Sequence, residues 1–356
     1  MKTYSLKSTG KSPASICKGS INIPFFATVR RSMGALLLAG IGVAGSSTAE
    51  ALTFTNNFDG TWGAVTATGA TSQSAVLSAE TILSNIFTGS NVNVKLSFGS
   101  DSTTGGAYSY FNNNDYPASL GGTNPGLTYA QVKLDMQNAS TANPTNLALA
   151  GTVANLPATI TSTAPFFIPE ADARALGAPA AQYPVNTYDG FVKVGTQTTW
   201  DAKESDGITA GQGDLTGVLL HEISHAMGRV DFAFSSSPDV ALTPLDLSRY
   251  TTGGGLNFTN SNAVFSINGG TTALGGYSNT SDTGDWGSIV PANDANNAFF
   301  GYGQLLQWST VDTQLMQAIG WEIASSSSVP DGGTTLAMLG LALGGMAVVR
   351  RKLGIA

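Results

Sequence analysis

The chain has 356 residues, of which only 11% are charged, with 43 glycines and a formal net charge of −7. That length allows one large core or two modest ones, and a charged fraction under half the roughly 25% of an ordinary soluble domain, together with so much glycine, suits short strands and turns. Nine of the 16 basic residues lie before Leu52 or after Pro330, leaving 7 basic against 21 acidic side chains in residues 52–330, a balance that repels phosphate backbones and anionic lipid and excludes nucleic acid as a natural partner.

In chain order, residues 1–32 are basic and unpatterned, and "MGALLLAGIGVAG" (33–45) is an apolar run too short to span a bilayer. With Ala49-Glu50-Ala51 after it, the stretch reads as a secretory signal cleaved after Ala51. The only cysteine, Cys17, leaves with that signal. The mature chain then has no disulfide, no thiolate ligand and no thiol nucleophile.

Within the body, "TSQSAVLSAETILSNIFTG" (71–89) places Val76, Ala79, Leu83 and Ile86 at helical spacing, with Gly89 as the stop. "VNVKLSF" (92–98) alternates as a half-buried strand does. Residues 109–127 read as a loop, 128–139 as a helix with Tyr129, Val132 and Met136 on one stripe, 166–177 as a short helix opened by Pro169 and closed by Gly177, and 189–195 as a strand. Beyond Asp231 the pattern is irregular and β-leaning until 309–321, a helix with Ser309 or Thr310 as cap and Gly320 at its end.

The central stretch is "LLHEISHAMGRVD" (219–231), which holds both histidines of the chain. Asp214 can cap a helix running to Met227, broken in propensity only by Gly217, so His221 and His225 fall one turn apart on the same face. That spacing lets two imidazoles grip one zinc ion, and Glu222 projects beside it, where a carboxylate can move a proton to and from water. Zinc needs a third protein ligand, and with no histidine left it must be an oxygen. Asp231, favoured because a turn at Gly228 folds the chain back, stands against Asp246, Glu322 or a ligand that the sequence does not single out.

The spacing H-E-x-x-H-x-x-G-x-x-D resembles the metzincin clan of zinc peptidases. The resemblance implies His221, His225 and Asp231 as Zn²⁺ ligands, Glu222 as general base, and peptide-bond hydrolysis of a protein or peptide substrate. It also implies an α+β fold of zincin type: a twisted mixed sheet on an active-site helix and a backing helix, with a less regular C-terminal half completing the cleft. The methionine turn of that clan is not carried over, since Met316 lies far downstream in a helical stretch with Ala318 where the clan's tyrosine would fall. Tyr250 is either an oxyanion donor or a packed aromatic. "SNTSDTGDW" (278–286) offers oxygens of the kind that bind Ca²⁺, or forms a solvated turn.

After a serine spacer come Val329-Pro330-Asp331-Gly332-Gly333, an apolar run from Thr334 to Val349, and Arg350-Arg351-Lys352. This order resembles PEP-CTERM sorting signals, although the usual motif is Val-Pro-Glu-Pro. The resemblance implies an exosortase-type sorting enzyme as partner, transient membrane contact through the tail, and an exported protein at the cell surface or beyond. The alternative for the tail is a permanent membrane anchor. The expected organisation is a signal (1–51), a subdomain carrying the histidine helix (52–235), a C-terminal subdomain (236–325) and the sorting tail (326–356). Two further readings of function stay open, a non-catalytic surface or matrix protein that keeps the peptidase frame, and an adhesive module stabilised by a closed metal site.

Overall fold

The computed structural model describes residues 7–8, 51–232, 240–259 and 262–324. The expected signal, apart from Lys7, Ser8 and Ala51, and the expected tail (326–356) lie outside the described residues.

Strand β1 (Thr53–Phe58) runs parallel to β2 (Asn93–Asp101), and helix α1 (Ser72–Ile86) connects them, as parallel neighbours require a crossover. Thr71 caps α1 by accepting the Ser74 N–H, and Ala75, Val76, Ala79 and Leu83 form its buried stripe. β2 is followed by β3 (Ala107–Tyr110) and, much later, β4 (Gly190–Gly195). β4 pairs parallel to β2 and antiparallel to β3, giving the order β1-β2-β4-β3 in a mixed sheet. The opening of the expected 109–127 loop is thus the end of an edge strand. Only four residues alternate there before the asparagine run begins, too few to mark a strand from sequence.

Between β3 and β4 lie α2 (Tyr129–Ala142), α3 (Leu147–Ala154) and α4 (Glu170–Ala175). A reciprocal capping box between Thr128 and Gln131 starts α2. α3 has no sequence-level counterpart, because "LALAGTVA" is apolar nearly all round and shows no polar face. Asn146 fixes it, accepting the Leu149 N–H and donating to the carbonyls of Gln317 and Trp321.

A ladder of two-residue parallel strands, 67–68, 200–201 and 213–214, delivers the chain to α5 (Leu215–Ala226), whose cap is Asp214 itself. Every residue of α5 is buried, and the helix lies against α1, β3 and β4. The remainder forms an antiparallel sheet of very short strands, β5 (Arg249–Tyr250), β6 (Val264–Phe265), β7 (Gly275–Tyr277) and β8 (Trp286–Ser288), in the order β8-β7-β6-β5. α6 (Thr310–Ala318) then closes the described chain, with Ser309 and Asp312 as its capping box.

The architecture is therefore mixed α+β. Leu96, Val192, Leu219 and Ile223 share one apolar core with Phe265, Trp286, Met316 and Trp321, so the two expected subdomains meet over a common interior. Trp321 closes it, donating from Nε1 to the Met227 carbonyl at 2.9 Å where α5 ends.

Candidate metal centre

Local sequence explains why α5 presents its histidines as it does. Asp214 accepts the Gly217 N–H at 3.0 Å and, with its other oxygen, the Leu306 N–H at 2.9 Å. Gly217 tolerates a helical interior position because Leu306 occupies the space above it, and a Cβ there would stand 2.4 Å from that side chain. At the other end Gly228 turns the chain with φ +114°, and a Cβ at that position would meet Asp172 at 2.6 Å.

His221 and His225 face each other with ring centroids 4.5 Å apart. Nδ1 of His221 lies 3.0 Å from the Ala295 carbonyl, and Nδ1 of His225 bonds the Arg229 carbonyl. A carbonyl only accepts, so each Nδ1 carries a hydrogen and each Nε2 is left to hold either a proton or a metal. The two Nε2 atoms approach to 2.8 Å, and Asp285 Oδ1 stands 3.3 Å from both. With both rings neutral, three acceptors on one spot repel unless a cation lies among them, and Arg229 Nη1, 3.2 Å from Asp285 Oδ1, meets part of that demand. Tetrahedral donors about 2.05 Å from zinc sit about 3.3 Å from one another. Both nitrogen–oxygen separations already have that value, and the nitrogen pair needs to widen by about 0.5 Å. The donor set fits the ion.

Without an ion, the two rings differ in charge. Burial holds His221 down to about 3, against the pull of the Asp285 carboxylate. Burial also opposes a charge on His225, but hydrogen bonding and attraction from Asp285 win and raise it to about 9. The pair thus holds one positive charge between two rings, in the place a metal would take. Asp285 is lowered despite its burial by His221, His225 and Arg229. Burial lifts Glu222 to about 8, with the His225 charge and the Ser109 hydroxyl of β3 drawing it back. None of His221, Glu222, His225 and Asp285 exposes more than 1% of its surface.

Among the described residues, His221, His225 and Asp285 form the only group of three ligand side chains that converges in this way. Asp231, the expected third ligand, is not in that group. Asp231 is brought back by the Gly228 turn, but its carboxylate pairs with the Arg249 guanidinium and not with the histidines, whereas Asp285 Oδ1 meets both imidazoles and, at 3.2 Å, Arg229 Nη1. Asp246 accepts the Thr243 N–H at 2.7 Å in a capping box. Glu322 sits at the far side, where its backbone pairs with Gly89 and Ser90. Met316 is helical in α6. Tyr250 alternates with Arg249 along β5, so it faces away from the histidines and lines a cavity of about 380 Å³ with Ile160, Leu256 and Phe258.

Asp285 was hidden within the stretch expected to bind Ca²⁺ or form a turn. It reaches the imidazoles because Trp286, next in sequence, is anchored by Nε1 to Asp312 at 2.7 Å and stacks 4.7 Å from the Arg229 guanidinium. The signal available in sequence was the pair of aspartates within a buried-type "TGDW" segment, which names a turn and gives no partner for it.

Residues 328–353 match the VPDSG-CTERM motif. Val329-Pro330-Asp331-Gly332-Gly333 follows that motif with glycine in place of its serine, which accounts for the departure from Val-Pro-Glu-Pro. The chain therefore ends in a sorting tail akin to PEP-CTERM, consistent with processing by an exosortase-type enzyme and with an exported, surface-directed protein. Among the described residues no helix is long and apolar enough to cross a membrane. No curated protein and no solved structure matches the chain.

Proposed function

We propose that this is an exported zinc-dependent peptidase whose ligands are His221, His225 and Asp285 and whose proton carrier is Glu222. The observation that carries the reading is the convergence of two imidazole nitrogens and one carboxylate oxygen, with no fourth ligand side chain in the group among the described residues. Three protein ligands are the count of catalytic zinc sites, whereas structural sites close with four. A mixed nitrogen and oxygen set also suits zinc better than calcium, which takes six to eight oxygens. A zinc-type fold of the metzincin kind agrees with the mixed sheet and with an antiparallel edge strand, β3, packed beside α5.

When bound, a zinc ion supplies Lewis acidity toward a peptide carbonyl and toward water. Arg229 and Ala295 hold the two rings in the required tautomer through their carbonyls. Glu222, next in sequence to His221, is the carboxyl this reading assigns to accept the proton of the attacking water and deliver it to the departing amine; burial raises it to about 8 in the metal-free chain, so it serves as a base only in its ionised form. In that exchange water adds to the carbonyl carbon, the carbon–nitrogen bond breaks, and no other reagent is consumed.

The near-complete burial of the centre favours a second reading, an exported module in which the ion only stabilises the fold. The zinc-loaded full-length chain and Glu222→Gln distinguish them in a casein digestion assay. The peptidase reading expects the variant to keep its zinc and to lose about 10²–10⁴ in rate. Equal rates in the two proteins, or no digestion by either alongside a zinc-dependent melting temperature, leave the stabilising role.

A further inference from the structure

Asp231 occupies the sequence position where the ligand was expected, yet it is buried against a cation. Arg249 pairs with it and also donates to the chain around it: Nη1 reaches the Thr283 carbonyl at 2.9 Å and Nη2 the Thr259 carbonyl at 3.0 Å, while Nε lies 3.8 Å from Asp246 Oδ1. The guanidinium also stacks 4.8 Å from the Tyr277 ring. Thr283 is two residues before Asp285, and Tyr277 ends the strand that leads into the same turn. The turn itself rests on the backbone that follows α5, since a Cβ on Gly284 would stand 3.4 Å from both the Arg229 carbonyl and the Asp231 nitrogen. Within the turn, Asp282 accepts the Gly284 N–H at 2.8 Å.

A buried aspartate–arginine pair adds little net stability over a well-packed apolar pair of similar size. What a guanidinium supplies is direction, because its planar fork fixes several acceptors at once. Here the acceptors are Asp231 on one side and the turn that carries Asp285 on the other.

We propose that Asp231 is a positioning residue of the metal centre, acting through Arg249 to hold the 282–285 turn so that Asp285 Oδ1 faces both imidazoles. This rests on the reading of His221, His225 and Asp285 as the ligands. The aspartate at the H-E-x-x-H-x-x-G-x-x-D position thus serves the ion one step removed, by orienting the oxygen that faces it.

The test measures Zn²⁺ affinity by chelator competition, and the visible absorption of bound Co²⁺, on full-length chains carrying Asp231→Asn, Asp285→Asn or both. Asp231→Asn is expected to weaken Zn²⁺ binding about 10–100-fold and to move the Co²⁺ spectrum toward that of Asp285→Asn. In the double variant it should add nothing to Asp285→Asn, because the two act as one unit. Wild-type affinity and spectrum in Asp231→Asn, or a loss that persists in full in the Asp285→Asn background, overturns the proposal. Should Asp231→Asn fail to fold, Arg249→Lys carries the same test, since lysine keeps the charge and loses the fork. If Asp285→Asn itself binds Zn²⁺ as the wild type does, the ligand assignment fails instead.

Discussion

Residues 53–232 and residues 240–324 are held together by different means. In the first region, parallel strands and helical stripes bury Val94, Leu96, Phe98, Val192 and Val194 completely, and hydrogen bonds follow regular ladders. In the second, strands last two or three residues, and buried charged groups take the place of the ladder: Arg249 ties Asp231 to the Thr283 and Thr259 carbonyls, while Asp312 holds both the Trp286 ring and the start of α6. The difference teaches where a metal donor can hide. Two of the proposed ligands come from the regular region at fixed helical spacing, and the third comes from a turn placed by contacts that are distant in sequence.

Substitutions in the two regions sharpen this contrast. Leu96→Ala, in the centre of the mixed sheet, should lower unfolding free energy by about 2–5 kcal/mol in a denaturant titration, and a loss under about 1 kcal/mol would mean the sheet is not the main apolar core. Asp312→Ala removes the acceptor of the Trp286 indole at 2.7 Å and of the Ser309 N–H at 2.9 Å. It should destabilise by about 1–3 kcal/mol and, unlike Leu96→Ala, weaken zinc binding as well, because Trp286 adjoins Asp285. If both substitutions alter zinc affinity equally, the second region has no special part in placing the donor.

Glu80 gives the smallest effect and a pH signature. Burial raises its carboxyl to about 7 while Asn56 donates to it at 2.9 Å. A carboxyl raised above its unfolded value stabilises fully below about 4.5 and loses that contribution as pH rises through about 7. Glu80→Gln should therefore melt about 2–4 °C above the wild type at pH 8 and show a shrinking difference toward pH 5. A constant difference across that range would place the cause outside this titration.

Much of the first region was legible in the sequence. Apolar spacing marked α1 and α2, the Asp214 cap and the lack of breakers marked α5, glycine and proline marked the limits of α4, and the scarcity of histidine made the pair at 221 and 225 stand out. β3 was too short, and α3 too uniformly apolar, for any period to show. For the third proposed ligand, sequence offered Asp231 by spacing along the chain, whereas the carboxylate that meets both imidazoles is Asp285, whose Oδ1 also lies 3.2 Å from Arg229 Nη1. Arg249 sits on Asp231, and no local pattern reveals an arginine 18 positions away. The tail was legible as a sorting signal because its order of turn, apolar run and basic end is read along the chain and needs no tertiary contact.

The central claim is that His221, His225 and Asp285 converge on one divalent ion. X-ray absorption at the zinc edge of the zinc-loaded full-length chain tests it most directly. The account expects the multiple-scattering signature of two imidazoles with one or two oxygen donors, all about 2.0–2.2 Å from the metal, and loss of one oxygen in Asp285→Ala. A spectrum with oxygen donors alone, or one unchanged by Asp285→Ala, would contradict it.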